Sequence, residues 1–169
     1  MSSEICIRPA REEDAEAFLR FLFAFDRESR FMAFEPGERN PDIGQLRQGL
    51  VAASRKANDL VLLVLRGDEV VGYLEALGGK YRRTYHRVNV TMGLLDKAAG
   101  QGLGKRLLGE LEVWAAGNGI ERLELSVLAD NERALGLYLK MGYAIEGRKQ
   151  KAMKIDGKFV EGIFMARIL

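Results

Sequence analysis

The chain has one cysteine, Cys6, and one histidine, His86, among 169 residues. A single cysteine excludes an internal disulfide and offers no metal cluster, so no bound metal is expected. Catalysis by the thiol has little support, because Cys6 alternates with Ile5 and Ile7 in a first strand, where a packed side chain is expected. No apolar run approaches the ~20 residues of a membrane span, so no membrane partner is expected. The opening Met-Ser-Ser-Glu-Ile-Cys lacks the basic and apolar regions of a signal peptide, which points to the cytoplasm. Charge of one sign is also scarce: Lys and Arg exceed Asp and Glu by only two, 26 against 24. The densest basic runs lie between Lys80 and Arg87 and between Arg148 and Lys158. Neither run matches a known reader motif, and no nucleic-acid partner is expected. Internal repeats and low-complexity tracts are absent, and this length and composition fit a single domain spanning 1–169.

Glycine, by contrast, is concentrated where it matters. The stretch Lys97-Ala-Ala-Gly-Gln-Gly-Leu-Gly-Lys-Arg places Gly100, Gly102 and Gly104 between a β-branched apolar run and an amphipathic helix. Glycines permit positive φ and remove the Cβ atoms that keep a ligand off the backbone, so successive N–H groups can converge on an anion. The following helix adds unpaired N–H groups and the positive end of its dipole. Spacing excludes the common nucleotide motifs. Walker A would need glycine at Ala99 and Ser or Thr at Arg106, and G-x-G-x-x-G counted from Gly100 would need glycine at Lys105.

Periodicity divides the rest into alternating elements. Ile5 to Arg8 reads as a strand, followed by a helix whose residues Ala15, Phe18, Leu19, Leu22 and Phe25 share a face. Phe31 to Pro41 is a loop, and Ile43 to Lys56 a second helix. Leu60 to Leu65 and Val70 to Ala76 form a strand pair turning at Gly67-Asp68, and His86 to Leu95 continues the sheet. Leu103, Leu107, Leu111 and Trp114 mark the buried face of the helix after the glycine loop. Leu123 to Leu128 is a strand, Asp130 or Asn131 caps a short helix stopped at Gly142, and Ile145 to Ile168 is a hairpin turning at Asp156-Gly157. The order β-α-α-β-β-β-α-β-α-β-β argues a mixed sheet with helices on both faces, an α/β (α+β) class.

Two segments together resemble the GNAT superfamily of N-acetyltransferases. The loop is similar to its Arg/Gln-x-x-Gly-x-Gly/Ala signature through Gly102 and Gly104, although Ala99 stands at the Arg/Gln position. The short helix is similar to the Asn-x-x-Ala-x-x-x-Tyr-x-x-x-Gly-Phe/Tyr element through Asn131, Ala134, Tyr138, Gly142 and Tyr143. The weaker likeness runs from about residue 5 to the end of the chain. It implies about seven strands, mostly antiparallel, with the strands around the loop splayed to admit the pantetheine arm of acetyl-CoA. The implied cofactor contacts are Met92, Gly93 and Leu94 on one wall, Gly100 to Lys105 (with Gln101 and Leu103) at the phosphates, and Asn131, Ala134 and Tyr138 opposite. The basic runs then read as solvated strand edges or as contacts to the CoA 3′-phosphate.

Acetyl transfer requires an amine to lose its proton, attack a thioester and release a thiolate. Tyr138 is the acid that the resemblance implies; a packed core tyrosine would fit the same spacing. For the base, the family's usual glutamate position aligns with Asn89, which can orient a water but takes no proton. His86 and Glu75 are the alternatives. Phe31, Phe34 and Glu35, with Glu38, fall in the acceptor-side loop, where carboxylates meet an ammonium beside an apolar wall; anchoring of the loop or a dimer contact would explain the aromatics equally. Implied acceptors are small-molecule or protein amines. Homodimers are common in such folds, but no residue here specifies one. An acyl-CoA-binding module with little or no turnover, and a nucleotide-binding α/β protein, are the competing classes.

Overall fold

A computed structural model describes residues 4–40 and 42–169; Met1 to Ser3 and Pro41, at the end of the expected loop, lie outside the described residues. In chain order the elements are β1 (Ile5–Pro9), α1 (Ala15–Glu28), α2 (Ile43–Arg55), β2 (Asp59–Arg66), β3 (Glu69–Gly78), β4 (Arg87–Leu94), α3 (Leu103–Gly117), β5 (Arg122–Leu128), α4 (Glu132–Lys140), β6 (Ala144–Ile155) and β7 (Lys158–Ile168). This is the expected succession. The strands form one seven-stranded sheet in the order β1-β2-β3-β4-β5-β7-β6. Every neighbouring pair is antiparallel except β4 and β5.

Helices cover both faces, and β2 shows why. Its run Leu60 to Leu65 is apolar without alternation because each face has its own core. Leu60, Leu62 and Val64 face a cluster with Leu103, Leu107, Leu111 and Tyr138, from α3 and α4. Val61, Leu63 and Leu65 face a second cluster with Phe18, Phe21, Phe25 and Leu50, from α1 and α2. Details depart from the sequence reading where helical phase and edge position decide. In α1, Phe21 is buried at 2% exposure and Leu19 only half-buried. In α3, Ala115 is fully buried while Trp114 packs at the margin. Cys6 is exposed, because β1 is an edge strand whose Ile5 and Ile7 turn toward the first cluster.

The two turns named from sequence both demand positive φ. Gly67 has φ +61, and Asp156 and Gly157 have +49 and +77, the left-handed pair of a two-residue hairpin turn.

Candidate functional site

The site begins where the sheet opens. β4 and β5 pair in parallel only from Arg87 opposite Arg122 to Asn89 opposite Glu124. Beyond that rung β4 continues to Leu94 still paired with β3, while β5 stays with β7. The two strands diverge, and β4 from Val90 onward has no strand partner on its β5 side among the described residues. The expected splay is therefore present, with its apex at Asn89 and Glu124.

At the wide end of the gap stands the glycine loop. A short helical turn, Asp96–Ala98, leads into Gly100 at φ +76 and Gly102 at φ +72, the latter as N-cap of α3. These angles explain both glycines, since a side chain there is strained. The first bond of α3 runs from Arg106 N–H to the Gly102 carbonyl at 3.1 Å, so the N–H groups of Leu103, Gly104 and Lys105 find no partner among the described residues at the positive end of the helix. Gly104 has a different role. A Cβ there would lie 2.8 Å from the Leu137 side chain, so the residue permits close packing of α3 on α4.

Loop and gap share one cavity of about 380 Å³. Met92, Gly93 and Leu94 form its β4 wall, Gly100, Gly102, Leu103, Gly104 and Lys105 its mouth, and Asn131, Ala134 and Tyr138 the opposite wall. Phe31 also lines it. Gly93 is required by packing: a Cβ would lie 2.3 Å from Phe25 Cζ. Asn131 caps α4, its Oδ1 accepting from Ala134 N–H at 3.2 Å. Tyr138 is 8% exposed, its ring 5.6 Å from that of Tyr143, and burial pushes its hydroxyl pKa up to about 12.

Other residues singled out in the sequence stand apart. Gln101 turns away from the cavity: its Nε2 donates to the Lys97 carbonyl at 3.0 Å, and its Oε1 accepts from Arg66 at 3.2 Å. Asn89 is exposed at the apex and does not line the cavity. Phe34 is exposed beneath the Arg39 guanidinium, 4.4 Å from its ring centre. Glu35 is exposed, and its N–H donates to Glu38 Oε2 at 2.8 Å, which commits Glu38 to the turn of its own loop. His86 is exposed, with its carbonyl accepting from Glu121 and Arg122 N–H.

The structure adds Phe25, Ser29, Arg133 and Leu137 to the lining. Arg133 matters most. Its Nη2 comes within 4.0 Å of a Cβ built on Gly100, so α4 brings a cation up to the loop in a cavity that Lys105 also lines. Adjacency to the Asn131 cap was its only signal in the sequence. Among the described residues no group of His, Cys, Asp and Glu could hold a metal ion, and no helix is long and apolar enough to cross a membrane.

Comparison with known proteins agrees with this geometry. The model of the Acetyltransferase (GNAT) family matches residues 20–143. The L-amino acid N-acetyltransferase AaaT of Escherichia coli K12 is 39% identical over 49 residues, 29% of this chain and 30% of that protein. The chain thus matches less than a third of that relative's length. A GNAT-family acetyltransferase from Streptococcus pneumoniae superposes with a TM-score of 0.94 at 27% identity, covering 98% of this chain and 100% of the other. YncA of Salmonella typhimurium, solved with its cofactor acetyl-CoA, shares the fold with a TM-score of 0.84 at 18% identity, covering 98% and 94%. With the family model spanning well over half of the 169 residues, the chain belongs to the GNAT acetyltransferase family.

Proposed function

We propose that the chain transfers an acetyl group from acetyl-CoA to a primary amine by direct attack within a ternary complex. The observation that carries this reading is one continuous trench, from a loop of unpaired N–H groups, along a strand with a free edge, to a buried tyrosine. Each part suits a part of the ligand. Leu103 to Lys105 N–H groups, with Lys105 and Arg133, suit a diphosphate; the open edge of β4 suits the amides of a pantetheine arm; and Tyr138 would stand at the sulfur. Gly100 and Gly102 leave that approach clear, as nothing lies within 4 Å of a Cβ built on Gly102.

Within this reading the residues have separate tasks. Tyr138 donates a hydrogen bond to sulfur as negative charge develops there, and Phe25, Met92 and Leu137 exclude water from the gap. Against a thiol of pKa ~8.5, a phenol at about 12 makes complete proton transfer uphill by about 5 kcal/mol, so its contribution is charge stabilisation during C–S cleavage. Asn89, exposed at the apex outside the cavity lining, would act only by orienting a water. Phe31 reaches the cavity and remains the acceptor-loop residue best supported for substrate contact. The acceptor is a small-molecule or protein amine, and the proposed setting is the cytoplasm.

The test is thiol release from acetyl-CoA in the presence of the twenty L-amino acids, spermidine and a peptide with N-terminal alanine, beside calorimetric titration of acetyl-CoA. Amine-dependent release is expected. Binding without release from any amine supports an acyl-CoA-binding module instead, and absence of binding removes the cofactor assignment.

A further inference from the structure

If the trench acetylates amines as proposed, an acceptor that arrives as an ammonium must lose a proton before its nitrogen attacks. Asn89 cannot accept that proton, so a group near the apex must. Val88, Val90, Leu123 and Leu125 belong to the core under α3 and α4, which turns Asn89, Thr91 and Glu124 to the opposite face. On that face the register sets Glu75 beside Thr91, one rung inside the gap, and Leu77 beside Asn89 at the apex.

Two carboxylates therefore flank the apex, in different states. Glu124 accepts from Arg87 Nη1 at 2.7 Å and from Arg122 Nε at 2.8 Å, so its charge is neutralised. Glu75 is half-buried and has no hydrogen-bond or ion-pair partner among the described residues. The wall that leads to it is continuous with the trench: Tyr73, two residues earlier on the same face, packs its ring on Phe25, which lines the cavity. Charged and titratable groups around Glu75 are Asp59 from β2, Tyr73 on its own strand and, beyond Tyr73, Asp26 of α1 and Arg39 of the following loop. From β4, Arg87, Asn89, Thr91 and Gly93 face that side, and the Arg87 guanidinium is held by Glu124 at 2.7 Å. Burial first, and the charge of Asp59 second, hold the Glu75 carboxyl above the usual carboxylate range. That direction suits a base working on an ammonium.

We propose that Glu75 is the base of the reaction, taking one proton from the acceptor ammonium at the apex of the gap. The freed nitrogen pair forms the C–N bond while the thioester C–S bond breaks. A second nitrogen proton balances the thiolate as thiol, and the proton on Glu75 returns to solvent. No oxidant, metal or covalent enzyme intermediate is required.

The experiment compares wild type with Glu75→Gln, an isosteric change that cannot accept the proton. With an amine that wild type acetylates, kcat/KM at neutral pH should fall ~10²- to 10⁴-fold while acetyl-CoA affinity and thermal midpoint hold. The variant's rate should climb about tenfold per pH unit toward the acceptor's own pKa, whereas wild type levels off once Glu75 is ionised. Unchanged turnover, or a loss with an unaltered pH profile, overturns the proposal. A second readout needs no acceptor: the carboxyl ¹³C titration of Glu75 in the wild-type chain should shift its midpoint when acetyl-CoA fills the trench, and an unmoved midpoint also overturns it. If wild type releases thiol with no amine, amine transfer fails and this role fails with it. Active wild type beside an equally active variant rejects Glu75 alone.

Discussion

Single residues in the loop separate two effects that sequence spacing merges. Gly102 stands at φ +72 with open space where a Cβ would point, whereas Gly104 lies against Leu137. Gly102→Val therefore meets no protein clash, and its cost is backbone strain of about 1–3 kcal/mol, relieved by turning the N–H groups out of their cradle. Acetyl-CoA affinity should fall at least tenfold with the fold retained, measured by calorimetry and thermal melting. Unchanged affinity would show that the loop does not hold the cofactor. Gly104→Val should instead lose stability first. For Tyr138→Phe, packing survives because the ring remains, so acetyl-CoA affinity should stay near wild type while kcat drops ~10²- to 10⁴-fold. A core role alone would leave kcat in place and change stability little, because the Tyr138 hydroxyl has no hydrogen-bond partner among the described residues. Tyr138 was legible from its frame of Asn131, Ala134 and Gly142, whereas Arg133, near the loop only in space, was not.

Between elements, the segment from α1 to α2 is held by one buried ion pair. Asp26, 2% exposed on α1, accepts from Arg39 Nε at 2.6 Å and Nη2 at 2.8 Å, and Arg39 in turn covers Phe34. The loop that carries Phe31 into the cavity is thus fastened by a residue eight positions further on, not by its own aromatics alone. Arg39→Met leaves Asp26 buried without its counter-charge, which costs about 3 kcal/mol, or roughly 6–12 °C of thermal midpoint for a chain of this size. Restoring consistency with Asp26→Leu in the same chain should recover most of that loss. If the double variant is as unstable as the single one, the pair does not act as a unit. The same loop explains why Glu38 is a poor candidate for meeting an ammonium: its carboxylate already accepts the Glu35 N–H.

At the scale of the whole molecule, the sheet's edge is joined to α1 through Asp14. Arg8 of β1 donates Nη1 and Nη2 to it at 2.7 and 2.8 Å, and Arg11 N–H adds a third bond at 2.7 Å. The Arg8 bonds hold the Asp14 carboxyl below its ordinary range. Its stabilisation is accordingly present above the unfolded value near pH ~3.9 and lost as pH falls through the depressed native value. Asp14→Asn should cost about 2 kcal/mol at pH 7, with the gap to wild type closing in acid below about pH 4, read from urea midpoints. A gap of constant size from pH 7 to pH 2 would refute this linkage. The sequence by itself determined the order of strands and helices, the turns at Gly67 and Asp156-Gly157, a helix cap at Asp130 or Asn131, which the structure assigns to Asn131, and the anion-ready glycine loop. Those features depend on side-chain periodicity and backbone preferences among near neighbours, which a linear reading contains. Only the tertiary structure decided where β4 leaves β5, that Gln101 turns toward Arg66 while Arg133 turns toward the loop, that Cys6 lies bare on an edge, and that Glu75 alone of two apex carboxylates lacks an arginine. Each of these is set by groups distant in the chain, whose packing and charge fix which face is covered and which polar atom is left without a partner.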